Sequence, residues 1–261
     1  MFDLALNLSS SQFDKDRDEM MQRGFDAGVA GVLALSSELE ESKSLPTLVA
    51  NWPQRCWASV GVHPHHAKSC SIEQLQQLLG LSAADNVIAI GECGLDFNRD
   101  FSPRDQQEQI FEAQLKIAAE LKMPVVMHER DAFERFYPIL KAWRPHLVGA
   151  VLHCFTGSES SLKAYLDLDI YIGVTGWLCD ERRGQDLQAM LPLIPNERLF
   201  LETDAPYLLP RDLKPKPKSR RNELMYLGQI YSTAARLRQQ ELSQLKAMTQ
   251  ANAERLFGIR L

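Results

Sequence analysis

The sequence lacks any long hydrophobic run and any leader-like segment. Its 261 residues contain no apolar stretch close to the roughly 20 that a membrane-spanning helix needs. The N-terminus turns acidic at once and has no basic segment of the kind that starts a secretory signal. We therefore expect no membrane segment and a cytoplasmic location.

Cysteine and positive charge are also scarce. The five cysteines show no Cys-x-x-Cys spacing, which argues against a zinc ribbon and a disulfide framework. The 29 Lys and Arg are outnumbered by 34 Asp and Glu, for a net charge of −5. This balance excludes a protein that coats nucleic acid through bulk charge, but it allows a local phosphate-binding patch.

Short apolar segments alternate with stretches of helical periodicity. The apolar segments predict eight strands, at 2–8, 31–35, 56–62, 87–91, 124–127, 148–153, 170–174 and 199–202. Helical spacing falls at 14–27, 71–81, 105–121, 131–143, 158–167, 185–191, 222–238 and 241–257. This order predicts an α/β fold, a (β/α)8 TIM barrel, as a single domain over residues 1–261. An open doubly wound sheet would favour a glycine-rich loop after strand one, and residues 7–11 contain no glycine.

Metal-binding side chains collect where the predicted strands end. Five of the six histidines lie in such strand-end motifs. The carboxyl ends of barrel strands share the face where active sites lie. Four side chains could converge there on a divalent metal ion: Glu92, His128, His153 and Asp204. The imidazoles favour Zn²⁺, Mn²⁺ or Fe²⁺, whereas the carboxylates alone would suit Mg²⁺.

A proline-rich loop after the last predicted strand carries most of the local positive charge. Residues 206–223 contain four prolines, and 211–221 hold six basic residues against Asp212. A cationic rim over a metal site suggests a polyanionic substrate. Arg130, two residues past His128, is a further candidate because guanidinium groups match phosphate oxygens. The predicted phosphate-binding residues are Arg130, Lys214, Lys216, Lys218, Arg220 and Arg221.

Six motifs, in order along the chain, carry a resemblance to a known family. They read GVHPH, GECGLDF, PVVMHERDA, GAVLHCFTG, YIGVTGW and ETDAPYLLP. Together they resemble the TatD family of metal-dependent deoxyribonucleases. The resemblance implies a barrel of the metal-dependent hydrolase type that hydrolyses DNA phosphodiesters, as a 3′–5′ exonuclease preferring single-stranded DNA. RNA is a second candidate substrate, and Mg²⁺ is the implied activator, with Mn²⁺ or Zn²⁺ as alternatives.

The resemblance also implies roles for individual residues. Glu92, His128 and His153 fall on metal-ligand positions, and Asp204 falls on a further metal-binding and catalytic carboxylate. Glu202, His63 and His65 fall on positions associated with catalysis or substrate; we assign Glu202 to catalysis and the two histidines to substrate binding.

The family's usual His-x-His at the end of strand one is absent. These two positions hold Ala5 and Asn7. Alanine cannot bind a metal and an amide oxygen is a weak ligand, so the sequence leaves open whether one ion or two bind.

Two alternative functions remain at this point. The same scaffold could hydrolyse a small-molecule ester, lactone or amide, because fold does not determine function. It could also be a nucleic-acid-binding protein without catalysis. We expect a monomeric enzyme, and a role in DNA repair or nucleic-acid degradation would follow from the reaction type alone.

Overall fold

The computed structural model describes residues 1–261 and contains one parallel sheet whose strands follow chain order. The strands are β1 (Phe2–Leu6), β2 (Gly31–Ala34), β3 (Cys56–Val60), β4 (Val87–Asp96), β5 (Val125–Arg130), β6 (Ala150–His153), β7 (Tyr171–Val174) and β8 (Leu199–Leu201). The chain after β8 meets β1 through a parallel bridge between Leu6 and Ala205. In addition, the Asp204 N–H donates to the Ala5 carbonyl at 2.9 Å. The predicted (β/α)8 barrel is thus confirmed in a nearly closed form.

Ten helices connect and cover the strands. They are α1 (Arg17–Asp26), α2 (Leu39–Val49), α3 (Ile72–Leu75), α4 (Gln77–Leu81), α5 (Arg104–Leu121), α6 (Phe133–Trp143), α7 (Glu159–Asp167), α8 (Gln185–Met190), α9 (Leu227–Leu237) and α10 (Leu242–Phe257). None of them combines the length and apolarity needed to cross a bilayer. Helix α2 was not predicted, because it contains Pro46 and buries Ser42 beside Leu45 and Val49, which weakens its apolar pattern.

The barrel interior explains why the active-site candidates share one face. A buried cluster takes a side chain from each of the eight strands and adds Phe257 of α10. Strand side chains alternate between faces with period two. Val126 and His128 therefore share the interior face of β5, as Val151 and His153 do on β6. The apolar cluster fills one end of the barrel, and the histidines lie above it.

Strand β4 is five residues longer than predicted, and β5 continues three residues further than predicted. The two strands stay paired through Gly94 with His128 and through Asp96 with Arg130. This close approach requires glycine: a Cβ on Gly94, whose φ is +143°, would lie 1.9 Å from the His128 carbonyl oxygen. The glycines and acids of this segment lack the apolar signal of a strand, which is why its extension was not predicted.

Candidate metal centre and active site

Three histidines surround one carboxylate oxygen in the mouth of the barrel. Glu92 Oε1 lies 2.9 Å from His153 Nε2, 3.2 Å from His128 Nδ1 and 3.3 Å from His63 Nε2. Glu92 sits where the β4–β5 register shifts between Ile90 and Cys93. Such bulges redirect side chains at barrel rims. The structure therefore brings together three of the predicted metal ligands and adds His63.

The electrostatics of this cluster favour bound positive charge. Burial opposes ionisation of Glu92, but the charge of His153 holds its pKa well below its ordinary value. Burial likewise opposes protonation of His153, yet Glu92 and Glu202 raise its pKa well above the usual value. A cation close to these carboxylates is thus stabilised.

Several buried polar atoms here have no hydrogen-bond partner. They are both ring nitrogens of His128, His153 Nδ1 and Glu202 Oε2. Ligand atoms of His63, Glu92 and His128 also lie within 4.8 Å of one another. Burying a polar group without a partner costs free energy, and a divalent cation would coordinate the lone pairs of such nitrogen and oxygen atoms. The residues present therefore fit a metal ion held by imidazole and carboxylate.

The hydrogen bonding of His63 separates it from the other two histidines. Its Nδ1 accepts the backbone N–H of His65 at 3.1 Å, which places the ring proton on Nε2. Burial lowers the pKa of His63 to about 4, so the ring is neutral near pH 7. Distances alone would admit His63 as a metal ligand, but this tautomer makes Nε2 a donor and favours the predicted contact with substrate.

Asp96 is a site residue that was not predicted from the sequence. Its Oδ2 lies 2.7 Å from His65 Nε2 and 3.4 Å from His128 Nε2. Burial would raise the pKa of Asp96, but the nearby imidazole of His128 and the hydrogen bond with His65 hold it well below its ordinary value. Its position four residues past Glu92, in the same motif and strand, was the available signal. Asp96 thus orients both histidines.

Glu202 lies behind His153. It is fully buried, its Oε1 accepts the Cys154 N–H at 2.5 Å, and the same oxygen lies 3.4 Å from His153 Nδ1. A Cβ on Gly173 would approach both carboxylate oxygens to 3.0 Å, so glycine leaves room for them. This placement favours orientation of His153 over the predicted catalytic role, which stays a prediction.

Asp204 is held by one of the two residues that replace the His-x-His pair. Asn7 Nδ2 donates to Asp204 Oδ1 at 2.9 Å and to the Ala205 carbonyl at 3.2 Å. Burial raises the pKa of Asp204 to about 7 against the opposing charge of His153. Ala5 is buried and offers no donor side chain. Asn7 therefore orients Asp204.

Comparison with known proteins identifies the family. A family model described as TatD related DNase matches residues 2–258. The chain belongs to the TatD-related DNases. A protein from Citrobacter rodentium named 3′-5′ ssDNA/RNA exonuclease TatD is 54% identical over 261 residues, covering 100% of this chain and 99% of that protein. The protein of the same name from Escherichia coli K12 is 52% identical over 259 residues, covering 99% of each.

Solved structures agree with this assignment. YJJV, a TatD homologue from Escherichia coli K12, superposes with a TM-score of 0.88 at 27% identity, covering 99% of this chain and 98% of that one. A TatD-family hydrolase from Entamoeba histolytica gives a TM-score of 0.88 at 24% identity, over 98% of this chain and 97% of that one, and supports the fold. The family resemblance read from the six motifs is confirmed.

The predicted phosphate-binding residues of this TatD-related DNase are dispersed. Lys214, Lys216 and Lys218 are exposed and form no ion pair. Arg220 lines a cavity of 520 Å³ together with Trp177. Arg130 lies above His128 on β5 and lines a second cavity. These positions are compatible with phosphate contacts, which stay predictions.

Arg221 is instead engaged in an ion-pair network. Its guanidinium lies 2.7 Å from Asp16 and 2.6 Å from Glu223. Arg23 binds the same two acids, each at 2.8 Å. Because its charge is already paired, this placement does not favour Arg221 as a phosphate ligand.

This network predicts a pH-dependent contribution to stability. Hydrogen bonds from Arg221 and Arg23 hold the pKa of Asp16 well below its unfolded value of 3.8, so the contribution is full above that value and is lost as pH falls below it. We expect Asp16→Asn to lower the free energy of unfolding by about 1 kcal/mol near neutral pH, because the pair is partly solvated. Urea unfolding across the acidic range should show the difference shrinking below about pH 4. Asp85→Asn, at an exposed loop residue, is the control. A difference that stays constant with pH would contradict the assignment.

Proposed function

We propose that this protein is a metal-dependent 3′–5′ exonuclease that hydrolyses the phosphodiesters of single-stranded DNA, with RNA as a second substrate. The observation that carries the proposal is the convergence of three histidines on Glu92 Oε1, two of which, His128 and His153, have ring nitrogens without a hydrogen bond. The direction and the substrate are proposed from the relatives named 3′-5′ ssDNA/RNA exonuclease TatD.

Glu92, His128 and His153 would hold a divalent ion. Mg²⁺ is the proposed activator, and Mn²⁺ or Zn²⁺ would suit the imidazoles better. Bound there, the ion would polarise the scissile phosphate and lower the pKa of an attacking water. Asp96 orients His128 and Glu202 orients His153, as carboxylates commonly do for metal-binding histidines.

The remaining steps belong to side chains of the chain itself. Asp204, held by Asn7, accepts the proton of the attacking water, and its raised pKa suits a base near neutral pH. His63 donates Nε2–H to a non-bridging phosphate oxygen. His65, bound to Asp96, lies beside His63, with ring centroids 4.2 Å apart, and contributes to the same phosphate contact.

We further propose that residues 1–261 act as one domain and as a cytoplasmic monomer, in nucleic-acid degradation or DNA repair. The single domain is supported by α10, because the ring centroids of its Phe257 and of Phe2 lie 6.0 Å apart. This contact joins the C-terminal helix to the first strand.

Metal removal and restoration test the proposal. The protein is stripped with a chelator and offered a single-stranded DNA oligomer labelled at its 5′ end, and Mg²⁺, Mn²⁺ or Zn²⁺ is then restored separately. We expect no cleavage without metal, and a ladder shortening from the 3′ end once the correct ion is added. His146→Ala, at an exposed histidine that precedes β6 and makes none of the cluster contacts, is the control and should behave as wild type.

Other results would overturn the proposal in distinct ways. Salt-sensitive binding without products, with every metal, would support the non-catalytic alternative. If the protein neither bound nor cleaved the strand, small-molecule esters and lactones would be the next substrates to test.

A further inference from the structure

The segment after β7 has no role in the site described above. It reads WLCDERRG from Trp177 to Gly184 and begins within a 3₁₀ turn at Gly176–Cys179. Trp177 and Arg183 of this segment line a cavity of 310 Å³. Phe155, Thr156 and Arg130 form further parts of its wall.

This cavity lies beside the metal centre. Arg130 is two residues past His128 on β5, so both side chains leave the strand on the same side. Thr156 is three residues past His153, the last residue of β6. The cavity therefore opens at the carboxyl ends of β5, β6 and β7, two or three residues along the chain from His128 and His153.

The charge of the cavity is not neutralised within the protein. Neither Arg130 nor Arg183 forms an ion pair or a side-chain hydrogen bond, in contrast to the fully engaged Arg221. Asp186 is the one acid in the wall. Two uncommitted guanidinium groups at one cavity favour a bound phosphate, whose oxygens match their planar donors.

Trp177 supplies a second kind of contact. The half-buried indole also lines the neighbouring 520 Å³ cavity, whose wall holds Arg220 and an ion pair between Arg211 and Asp180. An aromatic ring between two cavities that each hold an unpaired arginine matches the alternation of base and phosphate along a single strand. A base in a duplex is already paired and stacked, and it could not lie on this ring without leaving its neighbours.

We propose that this cavity is a nucleotide subsite, in which an unpaired base stacks on Trp177 while Arg130 and Arg183 bind the adjacent phosphate. The subsite rests on the proposed nuclease function and adds the basis of its preference for single strands. Trp177 contributes affinity without sequence selection, because every base has an aromatic face.

Removal of either stacking partner tests the subsite. Binding is measured by fluorescence anisotropy with metal-stripped protein, using a labelled single strand and the same strand with abasic residues. We expect the wild type to bind the abasic strand about tenfold more weakly. Trp177→Leu should bind both strands with the same reduced affinity, since neither strand has an indole to stack on. Trp143→Leu, on α6 and outside the cavity, should keep the wild-type difference.

The phosphate contact has its own test with a neighbouring control. Arg183→Gln should lower the salt dependence of binding, with the slope of log affinity against log salt reduced by about 0.7. Arg182→Gln removes the adjacent exposed arginine, which lies outside the cavity wall and 3.9 Å from Asp180, and should leave the slope nearly unchanged.

Failure of the subsite and failure of the proposed function are distinguishable. A wild type that binds and degrades the intact and abasic strands equally well overturns the subsite and leaves the nuclease standing. This comparison needs no variant, so misfolding cannot obscure it. A wild type that neither binds nor degrades any strand overturns both.

Discussion

Replacing Glu92 with glutamine is expected to lower the rate of single-strand cleavage by about 1,000-fold, since a catalytic metal ion supplies several kcal/mol of transition-state stabilisation. Glu92 Oε1 is the atom on which His63, His128 and His153 converge. Glutamine keeps the size of the side chain but removes its charge, so the site loses its central anionic ligand. Initial cleavage rates, together with metal content after dialysis against Mn²⁺ or Zn²⁺, measure both consequences.

Glu129→Gln provides the control for Glu92→Gln. Glu129 is also a buried carboxylate, but it accepts hydrogen bonds from Tyr165 at 3.1 Å and from the Ala132 N–H at 2.8 Å. Its substitution should leave metal content unchanged. If Glu92→Gln retained both its metal and most of its cleavage rate, the metal centre described here would be wrong.

Replacing Asp204 with asparagine is expected to lower kcat by about 100- to 10,000-fold, the range lost with a general base. Asparagine is nearly isosteric but cannot accept the proton of the attacking water. Because Glu92, His128 and His153 remain in place, metal content and strand affinity should change little. This separates the variant from Glu92→Gln, which should lose metal as well. Single-turnover cleavage with pre-bound single strand measures the chemical step.

Asp85→Asn, at an exposed acid outside the barrel mouth, controls for a general effect of removing one negative charge. A kcat of Asp204→Asn close to that of the wild type would exclude Asp204 as the base. Proton transfer would then have to be assigned to another group of the cluster.

The sequence predicted the elements whose local pattern agrees with their tertiary surroundings. All eight strands were located, because parallel barrel strands are buried on both sides and read as short apolar runs. Helix α2 was missed because Pro46 and Ser42 disturb its apolar face. The end of β4 was missed because Gly94 and Asp96 carry no strand signal, although their pairing with β5 extends the strand.

The residues of the site show the same difference between what local patterns predict and what depends on tertiary contacts. His128 and His153 could be predicted to meet because period two places them above Val126 and Val151 on the barrel interior. The contacts of Asp96 with His65 and His128 join β4 to the segment after β3 and to β5, and a motif within β4 does not show which side chains meet there. The loop around Arg221 looked uniformly cationic, yet its pairing with Asp16 joins residues 205 positions apart.

The sequence by itself determined the barrel, the family and the residue types of the metal centre, since these follow from periodicity and from motifs that act over a few residues. Only the tertiary structure decided which atoms meet: the convergence of His63, His128 and His153 on Glu92 Oε1, the position of Glu202 behind His153, and the support of Asp204 by Asn7. Each of these depends on contacts between strands distant in the chain. Such contacts are set by register, bulges and close backbone approach, which the order of residues along one segment does not encode.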